Sequence, residues 1–165
     1  MTYILGITGR IASGKSTVAN MFKDLGAFKI DADSLVHELQ QPGTEESKKI
    51  IQLLGSRVAT EDGGINRKEL GTVIAENPLA LDMVEEILHP QVYTKAKLRS
   101  GLEVKHNTPL VILEVPLLFQ SGMEELCDGV LVTTCDENER RARAFSREGM
   151  SSSLLDIFEK RQLSN

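Results

Sequence analysis

The chain has 165 residues, 41% of them hydrophobic, enough for one α/β core with a small inserted lobe. A formal net charge of −5 excludes a protein built around the backbone of DNA or RNA, and two cysteines without C-x-x-C spacing indicate neither a zinc site nor a disulfide scaffold, which favours a reduced, cytoplasmic setting. No apolar stretch approaches the length of a membrane span, and the first is too short and lacks the basic flank of a signal peptide.

In chain order, Tyr3 to Ile7 predicts a first strand and Ser16 to Leu25 a first helix closed by Gly26. Between them, Gly9 to Ser16 reads G-R-I-A-S-G-K-S, a complete G-x-x-x-x-G-K-[ST] phosphate-binding loop in the strand-to-helix setting that such a loop requires. Its residues Gly9, Ile11, Ala12, Ser13 and Gly14 curl successive backbone N–H groups around phosphate oxygens, and the helix that follows adds the positive end of its dipole. Lys15 supplies the charge that reaches the β and γ phosphates, Ser16 is the expected hydroxyl ligand of Mg²⁺, and Thr17 begins the anchoring helix. The chain is therefore expected to bind a nucleoside triphosphate with Mg²⁺.

Ala27 to Ile30 predicts a second short strand leading into Asp31-Ala32-Asp33. From Ser34 to His106 the pattern is helical, broken at Pro42-Gly43, Glu61 to Gly64, Asn77-Pro78 and His89-Pro90, which separates helices at Glu45 to Leu54, Arg67 to Ala75, Leu79 to Leu88 and Gln91 to Leu102. Leu110 to Val115 is a continuous apolar run typical of a buried parallel strand, and Gly129 to Thr133 is another. Ser151 to Ser153 form a helix N-cap region with Asp156 in the first turn.

A parallel sheet places its ligands beyond the carboxyl ends of the strands, where Asp31, Asp33, Glu114 and the phosphate loop all fall. A carboxylate there either orients Mg²⁺ through water or accepts the proton of an attacking hydroxyl, while a D-x-D fits a turn with a helix N-cap equally well. Glu114 fits either a metal-water ligand or a paired structural acid. Arg143 and Arg147, four apart, share a helix face, whereas Arg140 and Arg141 fit a solvated one. His89 before a proline fits a helix end at which it bonds a free carbonyl, and Pro116 to Phe119 reads as wall and packing around a substrate.

The strings G-I-T-G-R-I-A-S-G-K-S-T-V-A from Gly6, D-A-D from Asp31, I-L-H-P from Ile87, E-V-P-L-L-F from Glu114, C-D at Cys127, and R-x-x-x-R-E-G-M-S from Arg143 together resemble the dephospho-CoA kinase family in order and spacing along nearly the whole chain. The resemblance implies an α/β, P-loop kinase-like three-layer fold with a parallel sheet, a core at about residues 1–33 and 108–165, a helical substrate-binding insertion at 34–107 and a helical lid at 138–152. It implies transfer of the γ phosphoryl of ATP to the ribose 3′-hydroxyl of dephospho-CoA, with Lys15, Asp33 and Arg143 catalytic and Asp33 the base or orienting group for the hydroxyl. Arg143 and Arg147 match the family's lid arginines and join the loop in holding nucleotide, while Thr8, Asp33, His89, Pro116 and Leu117 would face the acceptor. Arg10 and Gln120 stand where that family has glycine and glutamate, and the family's pattern continues through a helix and a final strand bearing A-D-x-x-x-x-N, an edge strand that these residues lack. The loop itself is also shared by other nucleoside and nucleotide kinases, and by nucleotide-binding proteins without turnover.

Overall fold

A strand with no polar face must be covered on both sides. In the computed structural model, described over residues 1–162, Val111, Ile112 and Leu113 of the third strand are each fully buried between two helical layers. In chain order the elements are β1 (Tyr3–Gly9), α1 (Lys15–Asp24), β2 (Phe28–Asp31), α2 (Ala32–Leu39), α3 (Glu45–Leu54), α4 (Arg67–Glu76), α5 (Leu79–Lys105), β3 (Leu110–Glu114), β4 (Gly129–Thr133), α6 (Glu137–Phe145) and α7 (Ser152–Glu159). The sheet has the order β2-β3-β1-β4 and every pairing is parallel.

Side chains alternate across it as the pleat demands. Ile7 and Ile112 pack with Ala19 of α1 on one face, while Val111 and Leu113 join Leu35, Ile50, Leu70, Val84 and Leu88 of α2 to α5 on the other. The crossover leaving β1 passes over β3 to reach β2, and the one leaving β3 passes β1 to reach β4. The two run to opposite sides, so a crevice opens between the carboxyl ends of β1 and β3, the place where such sheets bind ligands. Among the described residues the sheet ends at β4, whose Val130 and Val132 are exposed.

Four expectations change. Strand β1 runs on to Gly9, and α2 starts at Ala32 because Asp31, not a later residue, caps it: its carboxylate accepts the Asp33 N–H at 3.0 Å and the Ser34 hydroxyl at 3.0 Å. Ser151 caps α7 as expected by accepting the Leu154 N–H at 3.1 Å, but that helix carries no acid in its first turn, and Asp156 lies further along, 3.7 Å from Arg141. The largest difference is at His89-Pro90, where no break forms and α5 continues for 27 residues. Ala80, Leu81, Val84, Leu88, Val92, Ala96 and Ser100 recur every three or four positions as one buried stripe, and Pro90 faces solvent on the opposite side. Burial along the stripe outweighs the one backbone bond that a proline forfeits.

Because Pro90 is exposed and only interrupts that ladder, Pro90→Ala should raise unfolding stability by about 1–3 kcal/mol. Chemical denaturation of both proteins tests this, and a destabilised variant would mean that α5 needs a bend there to follow the core.

Candidate active site

The phosphate loop leaves β1 through Gly9, where there is no space for a side chain: an added Cβ would lie 2.5 Å from Ser13 Oγ and Thr133 Oγ1 and 2.6 Å from the Thr133 carbonyl oxygen. Ser13 and Thr133 hydroxyls are 2.7 Å apart and buried, fastening the root of the loop to β4. The chain then turns through Ala12 at φ 60° and Gly14 at φ 100° into α1. No side chain caps α1, so its first N–H groups stay open to the cleft, as an anion site at a helix N-terminus requires.

Lys15 is 9% exposed, and its ammonium donates to the carbonyls of Gly9 at 3.0 Å and Arg10 at 2.9 Å. Burial pushes its pKa down to about 8; Arg147 and Arg140 push the same way and Glu114 opposes them. The Ser16 hydroxyl donates to Glu114 Oε1 at 2.6 Å, across the junction of β1 and β3. Glu114 Oε2 is buried without a hydrogen bond among the described residues, 3.5 Å from Lys29 Nζ.

These groups line a cleft of about 820 Å³. Of the residues singled out in the sequence, Ile11, Ala12, Gly14, Lys15, Ser16, Thr17, Asp33, Pro116, Leu117, Arg143 and Arg147 border it together. Gly9, Ser13 and Thr8 lie behind the wall, Thr8 donating to the Pro116 carbonyl at 3.4 Å. His89 sits inside α5, half-buried and off the cleft, so it closes no helix.

The two aspartates of D-A-D differ in their surroundings. Asp31 caps α2, and Asp33, in its first turn, is 62% exposed and accepts from Arg67 at 2.9 Å. Arg67, Glu85, Phe158, Arg161 and Gln162 also border the cleft and were not singled out in the sequence. Arg67 carried no signal beyond its place in the first turn of a helix, and Gln162 none at all. Arg140 departs from expectation more sharply. It is 1% exposed, bonded to Glu137 and Glu159, and donates through Nη1 to the Ile11 carbonyl at 3.0 Å, so it does not lie on a solvated face. The Ile11 N–H in turn donates to Gln162 Oε1 at 2.8 Å. Arg143 pairs with Glu139 one turn earlier, but α6 ends at Phe145, so the exposed Arg147 lies beyond it and the two do not share the expected helix face.

A family model described as dephospho-CoA kinase matches residues 3–165. The dephospho-CoA kinase of Symbiobacterium thermophilum is 39% identical over 148 residues, spanning 90% of this chain and 62% of that protein. That of Bacillus cereus strain ZK is 36% identical over 151 residues, 92% of this chain and 76% of its own length. The crystal structure of the Thermus thermophilus protein TT1252 superposes with a TM-score of 0.72 at 32% identity, covering 98% of this chain and 81% of that one. The Campylobacter jejuni dephospho-CoA kinase shares the fold at a TM-score of 0.60 and 20% identity, over 88% and 95% of the two chains. No helix among the described residues is long and apolar enough to cross a membrane.

The depressed pKa of Lys15 makes stability depend on pH. Above about pH 8 the folded protein has released this proton while the unfolded chain holds it until about 10.5, so stability should rise across that window. The Cys127 thiol, pushed up to about 11 chiefly by burial, acts in the opposite sense between pH 9 and 11. Subtracting melting curves of Lys15→Met from those of the wild type isolates the lysine, and the difference should grow in favour of the wild type from pH 8 to pH 10. A flat difference would show that the ammonium is solvated.

Proposed function

The chain belongs to the dephospho-CoA kinase family, and from that premise we propose that its cleft moves the γ phosphoryl of ATP onto the ribose 3′-hydroxyl of dephospho-CoA. The observation that carries this reading is the pairing of two chemistries on one cleft: a phosphate loop with Lys15 on one wall, and on the other an aspartate, Asp33, whose carboxylate Asp31 has relieved of helix capping. In this reading the open N–H groups from Gly14 to Thr17 and the Lys15 ammonium hold the β and γ phosphates. Asp33 exchanges its exposed bond to Arg67 for one to the acceptor hydroxyl, pointing a lone pair at phosphorus and taking the proton late in the transfer. Arg143 and Arg147 close with the lid, residues 138–152, over the charge that spreads from the transferred group. Pro116 and Leu117, backed by Thr8, form the wall, and the helices of residues 34–107 form the acceptor lobe.

Magnesium suits the donors present. The Ser16 hydroxyl and the Glu114 carboxylate are hard oxygens facing one cleft, and Glu114 Oε2 has a free lone pair there. The described residues hold no cluster of three acids, histidines or cysteines, so the ion would share its shell with phosphate oxygens and water. When bound, it would neutralise phosphate charge. Both cysteines are free thiols, which fits action in a reducing cytoplasm.

ADP release coupled to dephospho-CoA, with nucleoside monophosphates and uridine as competing acceptors, tests the reaction directly. Stimulation by dephospho-CoA alone is expected. Equal stimulation by a nucleoside or nucleotide would reassign the acceptor, and ATP binding without any stimulation would leave a binding protein.

Asp33→Asn should lower kcat by roughly two to four orders of magnitude while leaving ATP affinity nearly unchanged, because the amide keeps the shape but loses the charge that orients and accepts the proton. Because the Asp33 carboxylate pairs, among the described residues, with one exposed arginine, stability should move by less than about 1 kcal/mol. Turnover, ATP titration and melting of the one variant check all three, and near-normal turnover would remove Asp33 from the chemistry.

A further inference from the structure

We infer that Arg140 and Gln162 are positioning residues that hold the phosphate loop in its binding shape by gripping Ile11 at both its N–H and its carbonyl. The inference rests on the reading of the cleft as an ATP site and extends it to two side chains that bond the loop's own backbone.

The loop does little to hold itself. Its one internal backbone bond at the apex is Ser13 N–H to the Arg10 carbonyl at 3.1 Å, and the Lys15 bonds to Gly9 and Arg10 use the group that has to turn to phosphate. Ala12, next in the chain to Ile11, sits at φ 60°, a left-handed conformation that is unfavourable for a residue with a Cβ. Such a conformation persists only where the surroundings over-determine it.

Those surroundings come from the other end of the chain. Gln162 accepts the Ile11 N–H at 2.8 Å and Arg140 donates to the Ile11 carbonyl at 3.0 Å, 151 and 129 residues away in sequence. Beneath the loop, Ala12 packs with Ala144 of α6 and Leu155 of α7. Arg140 is itself immobilised: with its side chain 1% exposed it must be paired, and Glu137 and Glu159 hold it on two sides. The planar guanidinium then has a third direction left, and that one meets the loop. Arg10 reaches the same glutamates, 3.1 Å from Glu137 and 3.9 Å from Glu159, so the loop is tied to α6 and α7 through side chain as well as backbone.

Two variants test this. Gln162→Met keeps the bulk and removes the acceptor, and Arg140→Lys keeps a charge for the glutamates but gathers its donors on one nitrogen, which cannot span the acceptors that the guanidinium meets through Nε, Nη1 and Nη2. In the nucleotide-free protein, amide hydrogen exchange at Ile11 should be protected in the wild type and faster by about tenfold in Gln162→Met. In both variants the dissociation constant for Mg-ATP, read by calorimetry, should rise about five- to tenfold while KM for the acceptor stays constant. Unchanged exchange at Ile11, unchanged ATP affinity, or an acceptor KM that rises in step with it would each overturn the clamp. If Arg140→Lys does not fold, the Gln162 measurements decide alone. A wild type that binds no ATP overturns the reading of the cleft and the inference with it, and that failure shows before any variant is made.

Discussion

Parallel pairing of β1 with β3, in the register that sets Ile7 against Glu114, is the constraint on which the cleft depends. It brings a loop built around residue 10 against a carboxylate 98 residues beyond Ser16, and the 2.6 Å bond between Ser16 and Glu114 is the local expression of that register. The same row continues into β2, where Asp31 stands against Glu114. A slip of one residue would turn Glu114 into the apolar layer and Leu113 into the cleft, burying an unpaired charge. Register here is therefore a chemical requirement as much as a packing one.

Much of this was legible in the residues because it is local. The phosphate loop is a contiguous string, the buried strand L-V-I-L-E-V carries its own pattern, and the helix bounds at Glu45 and Leu54 and the strand start at Gly129 follow from apolar spacing and turn residues. What escaped the sequence is what depends on partners far along the chain. Pro90 signals a break by its own chemistry, yet the stripe from Ala80 to Ser100 decides otherwise, and that stripe matters only once α2 and α3 lie against it. Arg140 looks like any arginine on a charged helix; nothing within α6 tells that Glu159 and the Ile11 carbonyl wait on its other side. The D-A-D string allowed two assignments, and only backbone geometry shows that the first aspartate caps and the second is released.

Charge in the cleft is arranged to receive an anion. Lys15 is desolvated, and the positive charges of Arg147 and Arg140 disfavour its ammonium further. Glu114 offsets this only in part, its carboxylate being divided between Ser16 and Lys29. A polyanion entering such a site relieves repulsion as well as forming new bonds, which favours occupancy by highly charged ligands over neutral ones of similar shape.

The unbroken helix α5 has a mechanical consequence. At 27 residues it is a continuous strut of about 40 Å, lacking one backbone bond at Pro90. Near its start Glu85 borders the cleft and, with Asp82, holds Arg161; past its end the chain turns at once into β3, which carries Glu114. The non-helical joints on either side of it are Asn77-Pro78 and His106 to Pro109, so one continuous element links Glu85 at the cleft to the foot of the strand on whose far end the Ser16 partner stands.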